Sequence, residues 1–128
     1  MKIVISAEGR GIESNIDTSF HRCSSFLILD IEKNTLIALE NTTKERPSEI
    51  GATVGQIISN QDIDAVIASD IGPTAFEIFE RHGIKVCHGD GIIEDAVKQI
   101  KYGRLPEITK AAIQRYTSLK QSKMKKEN

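Results

Sequence analysis

The stretch "DAVIASDIGPTAFEIFERHGIKVCHGDG", residues 64–91, decides the fold. "DAVIAS" (64–69) and "IKVCH" (84–88) are short continuous apolar runs, the mark of strands buried on both faces. Between them "GPTAFEIFERHG" (72–83) reads as a helix. Pro73 stands at its first position, where a missing N–H costs nothing. Gly83 offers a left-handed C-terminal cap. Arg81 and His82 fall in the last turn, where the helix dipole favours positive charge, so His82 reads as structural. Strand, helix, strand in this order implies two parallel strands joined by a right-handed crossover.

Outward from there, the pattern continues on both sides. "IIEDAVKQIKYG" (92–103) is a further helix, and after Pro106 the residues Ile108, Ala112, Tyr116 and Leu119 recur at helical spacing. Upstream, "SEIGATVGQIISN" (48–60) reads as a helix with Ser48 as N-cap and Ile50, Val54, Ile57 and Ile58 on one stripe. Gly51 and Gly55 share one of its faces, which suggests close packing on the sheet ahead of close approach of a ligand. "SFLILDIE" (25–32) and "TLIALEN" (35–41) flank a turn-like "KN" and read as an antiparallel hairpin. "KIVIS" (2–6) is another buried strand, followed by a long polar loop from Glu8 to about Ser24. Loops of that length are usually functional or mobile, and few apolar residues anchor this one.

The fold class is therefore α/β. If the first, fourth and fifth strands are parallel and the hairpin pairs with the first, the order is 3-2-1-4-5 in a mixed five-stranded sheet, with strand 2 antiparallel to strand 1. A domain over 1–104 is followed by a basic C-terminal helix or tail over 105–128. That tail carries Lys110, Arg115, Lys120, Lys123, Lys125 and Lys126 against Glu107 and Glu127, a net of +4 that leaves −5 on the rest of a chain whose total is −1. An acidic body argues against nucleic acid as the main ligand, because phosphate binding needs a positive footprint. The tail reads as a solvated helix end or a contact for an acidic partner. No apolar run approaches the roughly 20 residues needed to cross a bilayer, and the start lacks a signal-peptide core. The expected location is the cytoplasm, where two cysteines stay as thiols.

Two Cys-His stretches carry the candidate chemistry: "SFHRCSSF" (19–26) and "KVCHGDG" (85–91). In the order 3-2-1-4-5 both fall at one rim, with the N-termini of the helices near Ser48, Gly72 and Gly91. Helix N-termini present unpaired N–H groups and partial positive charge, and together they make an anion site. Strands 1 and 5 are separated by one strand, about 9–10 Å, so the two stretches are expected to be neighbours with Arg22 holding an anion between them. In an extended stretch His21 and Cys23 project to one side. Thiolate and imidazole suit iron, copper or zinc, so Cys23, His21 and Cys87 are candidate metal ligands and His88 a candidate cofactor contact. The plainer readings are a loop cysteine, solvated histidines, and Cys87 as a small apolar filler at a strand end. The spacing is not that of a zinc motif. A two-metal nuclease would need carboxylates on the sheet, and the first strand has no acid before Glu8; only Asp70 and Asp90 reach the rim.

The chain resembles the dinitrogenase iron–molybdenum cofactor biosynthesis family over residues 1 to about 105. The resemblance rests on "MKIVIS", "SFHRCSSFLILDIE", "DAVIASDIGPTAFEIFERHGIKV" and "GIIEDAVKQIKYGRL" in that order, with "IGPTAF" the most specific part. It implies a ribonuclease-H-like sheet and a non-enzymatic carrier of iron–molybdenum cofactor, another metal–sulfur cluster or a precursor, with cofactor-assembly proteins as partners. By position, Phe20 and Arg22 match the Phe and Arg of the family's His-Phe-Gly-Arg stretch, with Ser19 in place of its histidine and His21 in place of its glycine. Gly72 and Pro73 also match, and join His21, Arg22, Cys23 and His88 as candidate cofactor contacts. The alternative is an adaptor or regulatory domain that binds a small anion or a protein partner without a metal.

Overall fold

The structure, a computed structural model, describes residues 1–60 and 62–114. Strands β1 (Lys2–Ala7), β2 (Ser25–Asp30), β3 (Thr35–Glu40), β4 (Ala65–Ala68) and β5 (Lys85–His88) form one sheet in the order β3-β2-β1-β4-β5. β1 is antiparallel to β2 and parallel to β4, and β4 is parallel to β5. This is the order expected from the sequence. β2 and β3 are antiparallel, and the left-handed backbone of the link between them falls on Asn34 (φ 54°), a residue type that tolerates it. Among the described residues no helix is long and apolar enough to cross a membrane.

The continuous apolar runs fill two cores. Val4, Phe26, Ile28, Val66, Ala68 and Val86 point to one face, against α1 (Ile50–Asn60) and α2 (Pro73–Arg81). Ile3, Ile5, Leu27, Ala65, Ile67 and Cys87 point to the other, against α3 (Ile93–Lys101). The period-2 alternation along each strand divides them.

Pro73 begins α2, with Gly72 at the N-cap, and Gly83 follows it at φ +70°, as the sequence implies. His82 Nδ1 lies 2.9 Å from the Ile78 carbonyl, which fits its structural reading. Three expectations need correction. Ser48 is not an N-cap: a 3-10 turn over Pro47–Glu49 runs straight into α1, and Ser48 sits inside it because Pro47 takes the first position. Gly51 and Gly55 do not bring α1 onto the sheet. A Cβ on Gly51 would make ordinary contacts with Ile78 and Thr74 of α2, and one on Gly55 would meet open space. Finally, Ile108 does not begin a helix. It belongs to an extended segment paired with the outer edge of β5, where His88 N–H donates to Pro106 O and Ile108 N–H to Val86 O, each at 2.8 Å. A helical stretch starts at residue 110, where Thr109 Oγ1 accepts from Ala112 N–H. Most of the basic tail, with Tyr116 and Leu119, lies outside the described residues.

The long loop is anchored more firmly than its polar composition suggests. Ile16, Phe20 and Cys23 are buried. Ile16 N–H donates to Gly91 O, Asp17 N–H to Ser6 O and Phe20 N–H to Asp70 O, all within 3.0 Å. Three widely spaced apolar side chains and these backbone bonds tie the loop across β1, β4 and the start of α3.

Candidate functional site

Beyond the C-terminal end of β4, where Ser19 bridges Asp70, Phe20 drops into the core. Its ring centroid is 5.0 Å from Phe26 and 5.8 Å from Phe79, the latter edge-on. That anchor turns the chain at His21 and Arg22 rather than leaving it extended. Cys23 then re-enters the core and is fully buried. His21 and Cys23 therefore do not project to one side: the turn sends the imidazole outward and the thiol inward. Burial pushes the Cys23 thiol up to about 12, so at neutral pH it is a thiol and not a thiolate.

The outward side of the turn forms one wall of a cleft of about 270 Å³. Phe20 and His21 face the 3-10 turn and the start of α1 (Pro47, Ser48, Ile50) and the start of α2 (Gly72, Pro73, Thr74, Ala75). Neither N-terminus is capped by a side chain. Among the described residues no carboxylate lines the cleft. Arg22 is exposed beside it, in an adjoining hollow with Lys44, Glu45 and Pro47, so Pro47 is shared by both. The lining thus combines uncapped N-terminal turns, one imidazole and a nearby guanidinium, a set that attracts anions.

The turn is braced from below by Asn41, at the end of the hairpin. Its Nδ2 donates to His21 O (3.1 Å) and Cys23 O (2.9 Å) and lies 3.9 Å from Cys23 Sγ. Its Oδ1 accepts from Thr43 N–H and Thr43 Oγ1. Thr43 Oγ1 in turn lies 2.8 Å from Thr53 Oγ1 on α1.

The second Cys-His stretch goes elsewhere. Cys87 is buried on the α3 face, opposite Cys23, and its pKa too is raised by burial. His88 lies 3.8 Å from the Asp90 carboxylate, and Asp90 accepts from Ser69 Oγ. Among the described residues no three His, Cys, Asp or Glu side chains are grouped to hold a metal ion. Of the candidates named from sequence, the structure brings His21, Gly72 and Pro73 into one cleft with Arg22 beside it. It leaves Cys23 beneath the turn, and Cys87 across the sheet from Cys23. Sequence reasoning missed Thr74, Ala75, Pro47 and Ile50 as lining, and Asn41 as the brace. The prolines at the starts of two helical turns were the available signal for the first group. Asn41 ends a strand-like run in a polar link and carries no pattern of its own.

A family profile described as "Dinitrogenase iron-molybdenum cofactor" matches residues 1–103. An uncharacterized protein of Methanocaldococcus jannaschii is 31% identical over 111 residues, covering 82% of this chain and 93% of the relative. Among solved structures, the apo orange protein of Desulfovibrio gigas superposes with a TM-score of 0.76 at 22% identity, over 84% of this chain and 92% of that one. A NifB-type protein from Thermotoga superposes with a TM-score of 0.72 at 28% identity, over 83% and 91%. The profile match spans the sheet, the cleft and α3, and so the chain belongs to the dinitrogenase iron–molybdenum cofactor family.

Proposed function

We propose that this protein is a non-enzymatic carrier that holds an anionic metal–sulfur cluster, of the iron–molybdenum type or a precursor of it, as cargo in the cleft. The observation that carries this reading is the convergence of two uncapped helical N-termini and His21 on a cavity of about 270 Å³ with no carboxylate among the described residues of its wall. Family membership supplies the class of cargo. In this reading Gly72 and Pro73 bring the backbone N–H groups of α2 close to the cargo, His21 offers a nitrogen ligand, and Arg22 pairs with its negative charge. Cys23 would have to leave the core to ligate. Cys87 and His88 would act only on a second, separate contact. Cofactor-assembly proteins are the natural donors and acceptors of such cargo.

The test is anaerobic reconstitution with iron, molybdate and sulfide, followed by an absorption spectrum and metal per protein. The parent retains metal, and His21→Ala and Arg22→Ala each lose most of it while Cys87→Ser does not. Equal retention by all variants would move the site out of the cleft. A parent that retains nothing gives way to the adaptor reading. One observation favours that alternative: among the described residues the edge strand β3 exposes Leu36, Ile37 and Leu39, a surface suited to a protein partner.

A further inference from the structure

Asn41 is 2% exposed, and its carboxamide uses both its donor and its acceptor side. The orientation of the amide follows from the partners. Two carbonyls face one end and a backbone N–H faces the other, so the nitrogen must point at the turn. Protons then run in one direction. Thr43 has a single hydroxyl proton and gives it to Asn41 Oδ1, so the proton shared with Thr53 must come from Thr53. The chain reads Thr53 to Thr43 to Asn41 to the carbonyls of His21 and Cys23, with each bond polarising the next. A second tie is Asn41 N–H to Ser24 O at 3.0 Å. One end of the chain is on α1; the other flanks Arg22.

We propose that Asn41 is the positioning residue of the cleft: through Thr43 and Thr53 it holds the His21–Arg22 turn at a fixed separation from α1, and so sets the aperture into which an anion fits. This rests on the cleft being the anion site. Asn41 does not line the cleft, so any effect on binding passes through the turn. Without the tie, the buried side chains of Phe20 and Cys23 still hold the two ends of the turn in the core, but the carbonyls on either side of Arg22 lose their bonds to Asn41.

The test uses the full chain with molybdate as the anion probe and amide exchange as a readout that needs no ligand. Asn41→Asp keeps the shape but sets carboxylate oxygens against two carbonyls. Thr53→Val removes the first donor, and Thr53→Ser keeps it. The Phe20 amide, bonded to Asp70 O, exchanges at least about tenfold faster in Asn41→Asp relative to Val66 in β4, and a few-fold faster in Thr53→Val. Molybdate affinity falls in the same order, and Thr53→Ser restores parent values in both. Exchange that rises equally at Phe20 and Val66 would mean general destabilisation and overturn the proposal, as would unchanged exchange at both. If the parent binds no molybdate, the carrier reading of the cleft fails, and the exchange pattern alone upholds or overturns the tie.

Discussion

"SFHRCSSF" and "KVCHGDG" use nearly the same side chains at the same rim of the sheet, and the fold treats them in opposite ways. In the first, the reactive types lie in a turn between two core anchors, Phe20 and Cys23, so the residues between them are lifted to the surface of a cleft. In the second they lie within a strand, where alternation alone decides which way each one points. Cys87 goes into the α3 core, and His88 N–H is occupied by the segment that covers the edge of β5. A cysteine beside a histidine is thus no signal by itself. What matters is whether the backbone around it is irregular enough to present side chains together, and whether that irregularity is held in place.

The largest way to break the contrast is to remove the anchor. Phe20 is fully buried, with two aromatic neighbours on the α1 and α2 face. Phe20→Ala should cost about 3–5 kcal/mol of folding stability, measured by urea denaturation, because the site cannot collapse around a missing ring. A cost under about 1 kcal/mol would mean that the turn is not held from within.

A smaller effect should separate two glycines. Gly89 follows His88 and is buried; a Cβ there would lie 2.7 Å from Ile67 Cγ2 and 3.3 Å from Ile16 Cδ1. Both are packed side chains of the α3 core, so Gly89→Ala should destabilise by about 1–3 kcal/mol. Gly72, in the wall of the cleft, has extended backbone (φ −78°) and nothing within 4 Å of a Cβ. Gly72→Ala should stay within about 0.5 kcal/mol of the parent. If the two variants melt alike, the second stretch is not held by packing that the cleft wall at Gly72 lacks.

The sequence carried the sheet order and the extent of α2, because parallel strands and their crossover helix write continuous apolar runs, a proline and a glycine at the helix ends. It also carried the shared rim. It did not carry the turn at His21 and Arg22. The burial of Phe20 and Cys23 depends on where α1 and α2 settle, and a stretch of alternating apolar and polar residues reads equally well as extended. The assignment of Cys23 and Cys87 to opposite faces follows from strand register, which a one-residue slip would reverse. The Asn41 chain is invisible because its value lies in contacts among three residues that, read singly, are ordinary polar residues of a link and a helix. The segment at 106–108 was masked by a helical spacing that begins only after it.

The smallest expected effect compares the two thiols directly, through alkaline pH. Burial holds the Cys23 pKa near 12 in the folded protein, against an ordinary 9.0 when unfolded. A raised folded pKa means that this stabilising difference is fully present below pH 9 and is lost as pH climbs toward 12, since the unfolded chain gives up the proton first. By pH 10 the loss should amount to about 1.4 kcal/mol. Lysines and tyrosines titrate in the same window, so the quantity to compare is the difference between parent and variant. Cys23→Ala should be less stable than the parent at pH 7 because it leaves a small cavity beneath the turn, yet should lose less stability between pH 7 and pH 10. Cys87 is also pushed up by burial, but the Lys85 ammonium beside it pulls the other way. Cys87→Ala should therefore flatten the alkaline limb less than Cys23→Ala does. Urea denaturation of the three proteins at both pH values decides it. Equal flattening by the two variants would mean that the thiol beneath the turn is no better sealed than the thiol on the opposite face, and the contrast between the two stretches would lose its physical basis.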